Sequence, residues 1–170
     1  MTAVPGSWNL HNAISQRWTD AGLDASFRAE WTDPTDVSHQ PLNDTESRPD
    51  TPVPYCVFEV EKPVTVGHST AAANSGQECK YVRIGVTFQV FAKRQADGEQ
   101  GKSVANRMLQ LVCSKFDPGA GIWPVPTGAR DYIQQVRRAS EWLIRHDENT
   151  WEGAVRYEVF MQEFFDRRPA

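Results

Sequence analysis

Between Lys80 and Lys93 the chain alternates strictly, with Val82, Ile84, Val86, Phe88 and Val90 on one side of an extended backbone and Tyr81, Arg83, Gly85, Thr87 and Gln89 on the other. A period of two residues predicts a long half-buried strand. The same texture returns over Trp151–Phe165, where Val155, Tyr157, Val159 and Met161 oppose Arg156, Glu158, Phe160 and Gln162. Arg130–Arg145 alternates more loosely, and its Gln-Gln and Arg-Arg pairs would also suit a helix. The polar run His146–Thr150 behind it favours a strand, because two alternating runs around a short polar turn make a β-hairpin. Tyr55–Glu61 is a fourth strand, ended by Pro63.

Two segments carry helical spacing instead. Leu10, Ile14, Trp18 and Ala21 recur near every 3.6 residues, with Ser7 as a candidate N-cap and Gly22 as a stop, predicting a helix over Trp8–Ala21. Val104, Met108, Leu111, Val112 and Phe116 share one face of a second helix, Lys102–Phe116, which should pack on the apolar side of the long strand. Pro34, Pro41, Pro49, Pro52 and Pro54 make 31–54 a long loop, since proline withholds the backbone donor that helices and strands need. Further loops are predicted over 63–79 and 117–129. The resulting order α-β-β-α-β-β predicts an α+β fold, a single domain over 1–170 in which an antiparallel four-stranded sheet carries two helices on one face.

Composition narrows the class. With 170 residues, 39% hydrophobic and 24% charged, disordered, collagenous and coiled-coil chains are poor fits. The surplus is aromatic: 6 Trp, 8 Phe and 4 Tyr, residues that favour cores and protein interfaces alike. Three widely spaced cysteines, Cys56, Cys79 and Cys113, point to a reducing compartment. No apolar run approaches the ~18 residues of a membrane span, and Met1–Leu10 lacks the pattern of a signal peptide.

The net charge of −4 hides an opposition. Glu30–Asp50 carries six acids against Arg48, net −5, while Lys80–Lys115 carries seven bases against Asp97 and Glu99, net +5. Each excess alone reads as a solvated face. Together they suit surfaces that meet on neighbouring copies of one chain.

Catalytic and cofactor patterns are wanting. His11, His39, His68 and His146 lie far apart, with no zinc spacing. Gly98–Ser103 resembles the end of a phosphate-binding loop, but Ala96 stands where that motif needs glycine and Asp97 would repel phosphate. Glu59 and Glu61 share a strand face without a cleft partner and read as solvated. The acidic pI of about 5.6 disfavours tight nucleic-acid binding, and Arg137 and Arg138, adjacent on a strand, face opposite ways. No catalytic, metal or cofactor-binding residue is assigned, and no enzymatic activity is expected.

A short helix with Trp18, a Pro-rich loop, Pro54-Tyr55-Cys56-Val57-Phe58, the strand Val82–Ala92, a Gly-rich helix start and a closing hairpin resemble the tail terminator, or tail completion, proteins of long-tailed bacteriophages. That resemblance implies a small α+β subunit forming a hexameric ring at the head-proximal end of the virion tail. The ring stops polymerisation of the tail tube and presents a surface to the head connector. Its implied partners are further copies of itself, the tail tube protein and the head connector protein, while DNA passes through without specific binding and no membrane is involved. Assembly in the host cytoplasm follows. A ring requires heterologous contacts, and the candidate subunit interface comprises Trp31, Asp33, Asp36, Asp44, Trp123, Lys93 and Arg94. The hairpin tip, His146, Asp147, Glu148 and Asn149, is the candidate contact with the tube or the lumen. Two other readings are a head–tail connector or head completion protein, and a small-ligand-binding or enzymatic α+β domain with a pocket lined by Trp31, Trp123 and Trp142.

Overall fold

The computed structural model describes residues 6–44, 50–69, 77–95, 97–120, 123 and 132–166. Glu46 and Arg48 of the acidic segment, the 70–76 stretch, Pro124, Pro126 and Arg130 therefore lie outside the described residues. The elements are α1 (Gly6–Asp20), α2 (Leu23–Arg28), β1 (Leu42–Asp44), β2 (Tyr55–Val60), β3 (Val64–Ser69), β4 (Gln77–Lys93), α3 (Gly101–Phe116), a 3-10 turn at Pro118–Ala120, β5 (Tyr132–Arg145) and β6 (Thr150–Asp166). No helix among the described residues is long and apolar enough to cross a membrane.

The expected antiparallel four-stranded sheet with two helices is thus corrected. Among the described residues the sheet has six strands in the order β1-β2-β4-β6-β5, with β3 also on β4, β1 pairs parallel to β2, and three α-helices accompany it. Each missed element is short and lies inside or beside a segment that proline or glycine marks as irregular. Gly22 does end α1, but its left-handed backbone (φ 66°) turns the chain so that α2 starts at once and buries Leu23 and Phe27, four residues apart. β1 occupies three residues of the Pro-rich loop, and β3 starts directly after Pro63, where the missing N–H costs no ladder bond within the strand. Ser7 falls within the first turn of α1, which begins at Gly6, and so is not its cap.

β4 and β6 pair without interruption from Gln77↔Asp166 to Lys93↔Thr150. This register places Val82, Ile84, Val86, Phe88, Val90 and Ala92 beside Val155, Tyr157, Val159 and Met161 on one inner face, all fully or nearly fully buried. β2 and β3 lie in succession along the other edge of β4. Val60 pairs with Val86 and Val64 with Arg83, so one extra residue is accommodated around Lys62-Pro63.

Leu10, Ile14 and Trp18 of α1, Leu23 and Phe27 of α2, and Val104, Met108, Leu109, Val112 and Phe116 of α3 close the inner face. At its centre Phe88 meets Phe116 at 4.6 Å and Tyr157 at 6.0 Å between ring centroids. Trp123 stands edge-on to both Phe116 (5.2 Å) and Tyr157 (5.8 Å), and such tilted arrangements suit the ring quadrupoles. Cys113, expected on the inner side of the second helix, is buried there, and burial raises its thiol pKa.

The edge strand β5 is tied to α3 through polar groups. Arg138 holds Asp117 by two bonds, Nε to Oδ1 at 3.1 Å and Nη2 to Oδ2 at 2.8 Å, and its Nη1 donates to Glu141. The Tyr157 hydroxyl donates to the same Asp117 (2.7 Å), and Gln110 of α3 donates to Glu141 (2.6 Å). A bidentate guanidinium–carboxylate pair fixes direction as well as contact.

Because Phe88 joins the aromatic cluster to the sheet, Phe88→Ala should cost about 3–5 kcal/mol of unfolding free energy. A lowered denaturant midpoint with an unchanged m-value would register that loss.

Candidate assembly surface

The strand face turned away from the helices carries the other half of every alternating run. Its rows follow from the register. Tyr55, Phe91, Glu152 and Ile144 lie level, then Asn43, Val57, Gln89, Ala154 and Trp142, then Glu59, Thr87, Arg156 and Ser140, and below them Gly85, Glu158 and Arg137. All three helices contribute to the core on the opposite side. The upper rows mix apolar and aromatic residues with Asn43, Gln89 and the buried Glu152, and charged residues cross the outer face below them.

The crossing is a continuous ionic belt. Arg137 of β5 pairs with Glu158 of β6, Arg156 Nη1 lies 3.5 Å from Glu158 Oε1, and Arg156 holds Glu61 by two bonds of 3.0 Å. The last pair reaches over β4, where Gly85 makes the space. A Cβ built at Gly85 would stand 2.3 Å from Glu61 Oε2 and 2.6 Å from Arg156 Nη2. Glu61 is further fixed because its backbone N–H donates to the Gly85 carbonyl (2.8 Å). The hydrogen bonds from Arg156 hold the Glu61 carboxyl below the ordinary range, and Arg137 does the same for Glu158.

The hairpin tip is an ordered turn. Asp147 Oδ1 accepts from the backbone N–H groups of Asn149 and Thr150, both at 2.7 Å, and these bonds lower its pKa. His146 Nε2 meets Glu152 Oε2 at 2.5 Å, and Gln89 donates to Glu152 Oε1 at 2.9 Å. Glu152 is only 5% exposed, so these partners answer a carboxylate that would otherwise be costly to bury. The base of the tip is clamped by the start of α3. A Cβ at Gly101 would lie 3.1 Å from the Trp151 ring and 3.2 Å from the Asn149 carbonyl, and Lys102 Nζ sits 5.6 Å from the Trp151 ring centroid. The faint phosphate-loop pattern around Gly98–Ser103 therefore serves close packing of the helix start against the hairpin. His146 and Asp147 are engaged within this turn, while Glu148 is exposed.

The candidate interface residues do not form one patch. Trp31 is 4% exposed and donates through Nε1 to the Pro54 carbonyl (2.8 Å), and Trp123 is 1% exposed and donates to the Phe116 carbonyl (3.0 Å). Their burial is complete within one chain and needs no neighbour. Asp33 closes an exposed turn with Thr35, and Asp36 binds Ser38 and His39, its pKa lowered to about 2 chiefly by the Ser38 hydroxyl. Asp44 pairs with His11 of α1 (2.8 Å). Lys93 and Arg94 are exposed at the end of β4. The acidic and basic segments do meet, but inside the chain: Arg107 of α3 bonds both Glu30 oxygens (2.8 and 3.1 Å) and Glu99.

The tryptophan-lined pocket loses its basis for the same reason. Trp31 and Trp123 are sealed in the core, and Trp142 lies on the outer sheet face opposite Ala154. An open depression between the last turns of α1 and α3 is lined by Arg17, Asp20, Ala21, Ser114 and Lys115. Among the described residues no three His, Cys, Asp or Glu side chains gather as a metal-binding group. No known protein-family model matches the sequence, and no curated protein matches it.

Two variants test the belt. Gly85→Ala should fold, since the displaced atoms are ends of flexible side chains, but Glu61 should titrate back toward its ordinary value of 4.5 in an NMR titration. An unshifted Glu61 would refute the proposed crowding. Arg156→Gln should lower stability at pH 7 by about 1 kcal/mol or less, as for other solvent-facing ion pairs. Both carboxyl pKa values are depressed on folding, so this difference is present above about 4.5 and vanishes as pH falls through the lowered folded values. Melting curves of parent and variant across pH 3–7 would show it.

Proposed function

We propose that this chain is a virion structural subunit, a tail terminator whose copies form a ring at the head-proximal end of a phage tail tube. The observation that carries the assembly part is the sheet itself: one face packed by helices, the other crossed by an ionic belt, and a 14-residue strand, β5, at its edge. A long edge strand presents unpaired N–H and C=O groups, which fit a chain that pairs with a neighbour. The phage part is supported by the resemblance in element order and local strings. In this reading the ring stops tube polymerisation, offers the head-joining surface and lets DNA pass. Glu158 and Glu61 answer Arg137 and Arg156 along the belt, so that belt offers phosphates no uncompensated cationic stripe. A head–tail connector would share the same ring logic.

Electron microscopy of the purified protein should show rings of about six copies, closed by rotation, and added protein should cap growing tail tubes. A chain that stays monomeric at high concentration and leaves tubes uncapped would overturn the proposal. Deleting the gene separates the two phage roles, because terminator loss gives overlong tails and connector loss gives normal tails without heads.

A further inference from the structure

Two alternations run across this sheet, and both stop at its edges in a state that a second copy would continue. The first is direction. β2 and β3 run antiparallel to β4, β4 antiparallel to β6, and β6 antiparallel to β5. β5 therefore points the same way as β4 and opposite to β2 and β3, so β5 of one copy set beside β3 of a like-oriented copy forms an antiparallel pair. The second is charge. Along the belt the order is Arg137, Glu158, Arg156, Glu61, a cation on the β5 edge and an anion on the β2–β3 edge. Glu59, two residues before Glu61 on the same strand face, is exposed and reinforces the acidic end.

Among the described residues both edges have room. β1 covers only Cys56–Phe58 of β2, and no described strand flanks the far side of β3 or of β5. β5 contains neither proline nor lysine, the residues that commonly block an edge. Its two irregularities, between Ile133 and Gln135 and between Arg138 and Ser140, leave Gln135–Arg138 as a regular stretch. Arg137 lies within it, and its side chain is 61% exposed although it pairs with Glu158.

We propose that the occupant of the β5 edge is the β2–β3 edge of a second copy of this chain, with Arg137 facing Glu59 and Glu61 across the junction. The contact joins two different patches, so it is heterologous and propagates around a ring. It rests on the ring reading above and specifies which surfaces close it. The apposed charges favour the correct register over edge-to-edge contacts between like ends, where equal charges would meet.

The test uses the full chain with single charge reversals. Arg137→Glu and Glu59→Lys should each weaken self-association about tenfold or more, as like charges are brought together. An equimolar mixture of the two should reassemble, because each junction in an alternating ring then again sets opposite charges at positions 137 and 59. Arg137→Lys should assemble like the parent. Circular dichroism and denaturant midpoints establish that each variant is folded, and a variant that fails this is replaced by Arg137→Gln or Glu59→Gln. These should weaken association without rescue on mixing. Sedimentation of a parent that forms rings, with both reversals assembling normally or the mixture failing to recover, would overturn this junction while leaving the ring itself standing. A parent that never associates would overturn the ring reading and the junction together.

Discussion

The unbroken pairing of β4 with β6 is the constraint on which the rest of the molecule depends. Seventeen residues of β4 are matched in register to β6, so the faces of both strands are decided at once. A slip of one residue would turn Val82, Ile84, Val86, Phe88 and Val90 toward solvent and drive Arg83, Thr87 and Gln89 into the core. The apolar face that results is wide enough to take α3 along its length, with α1 and α2 beside it. The outer face inherits its ionic belt from the same register, since Gly85 stands opposite Glu158 only in that pairing.

The parts of this fold that were legible in the sequence are those whose signal is repeated along the chain. The alternation over Lys80–Lys93, the apolar stripe from Val104 to Phe116 and the paired runs around His146–Thr150 each repeat a period several times, and β4, α3 and the β5–β6 hairpin lie there. The split of Arg137 from Arg138 was also legible, and they do serve opposite faces, one on Glu158 and the other on Asp117. α2, β1 and β3 span six, three and six residues, too few for a period to show, and the prolines and glycines around them spoke for loops. The belt was hidden for another reason. Its members at 61, 137, 156 and 158 become neighbours only through strand pairing, and Glu61 alone looks like any solvated carboxylate.

The aromatic surplus and the opposed charges change meaning once the fold is known. Trp31 and Trp123 come from loops rich in proline and glycine, yet each enters the core and satisfies its indole N–H on a backbone carbonyl. Trp123 is thereby anchored to the aromatic cluster. Glu30, at the start of the acidic segment, is drawn to the basic segment by Arg107, which also holds Glu99, as a tertiary clamp between the α2–β1 loop and α3. What remains at the surface of the sheet is less conspicuous in composition: backbone edges, and side chains whose charges alternate across strands.

The same central pairing also sets when the folded chain can exist. Its partners lie far apart in sequence, from Lys93 with Thr150 to Gln77 with Asp166, and long loops must close before those contacts return any stability. β4 therefore waits, during synthesis, for residues 150–166 to be made, with β2 along one edge and its apolar face left to the helices alone. Folding is delayed to near completion of this stretch, and with it the formation of the β5 edge. Half-made chains are thus kept out of any assembly by topology alone.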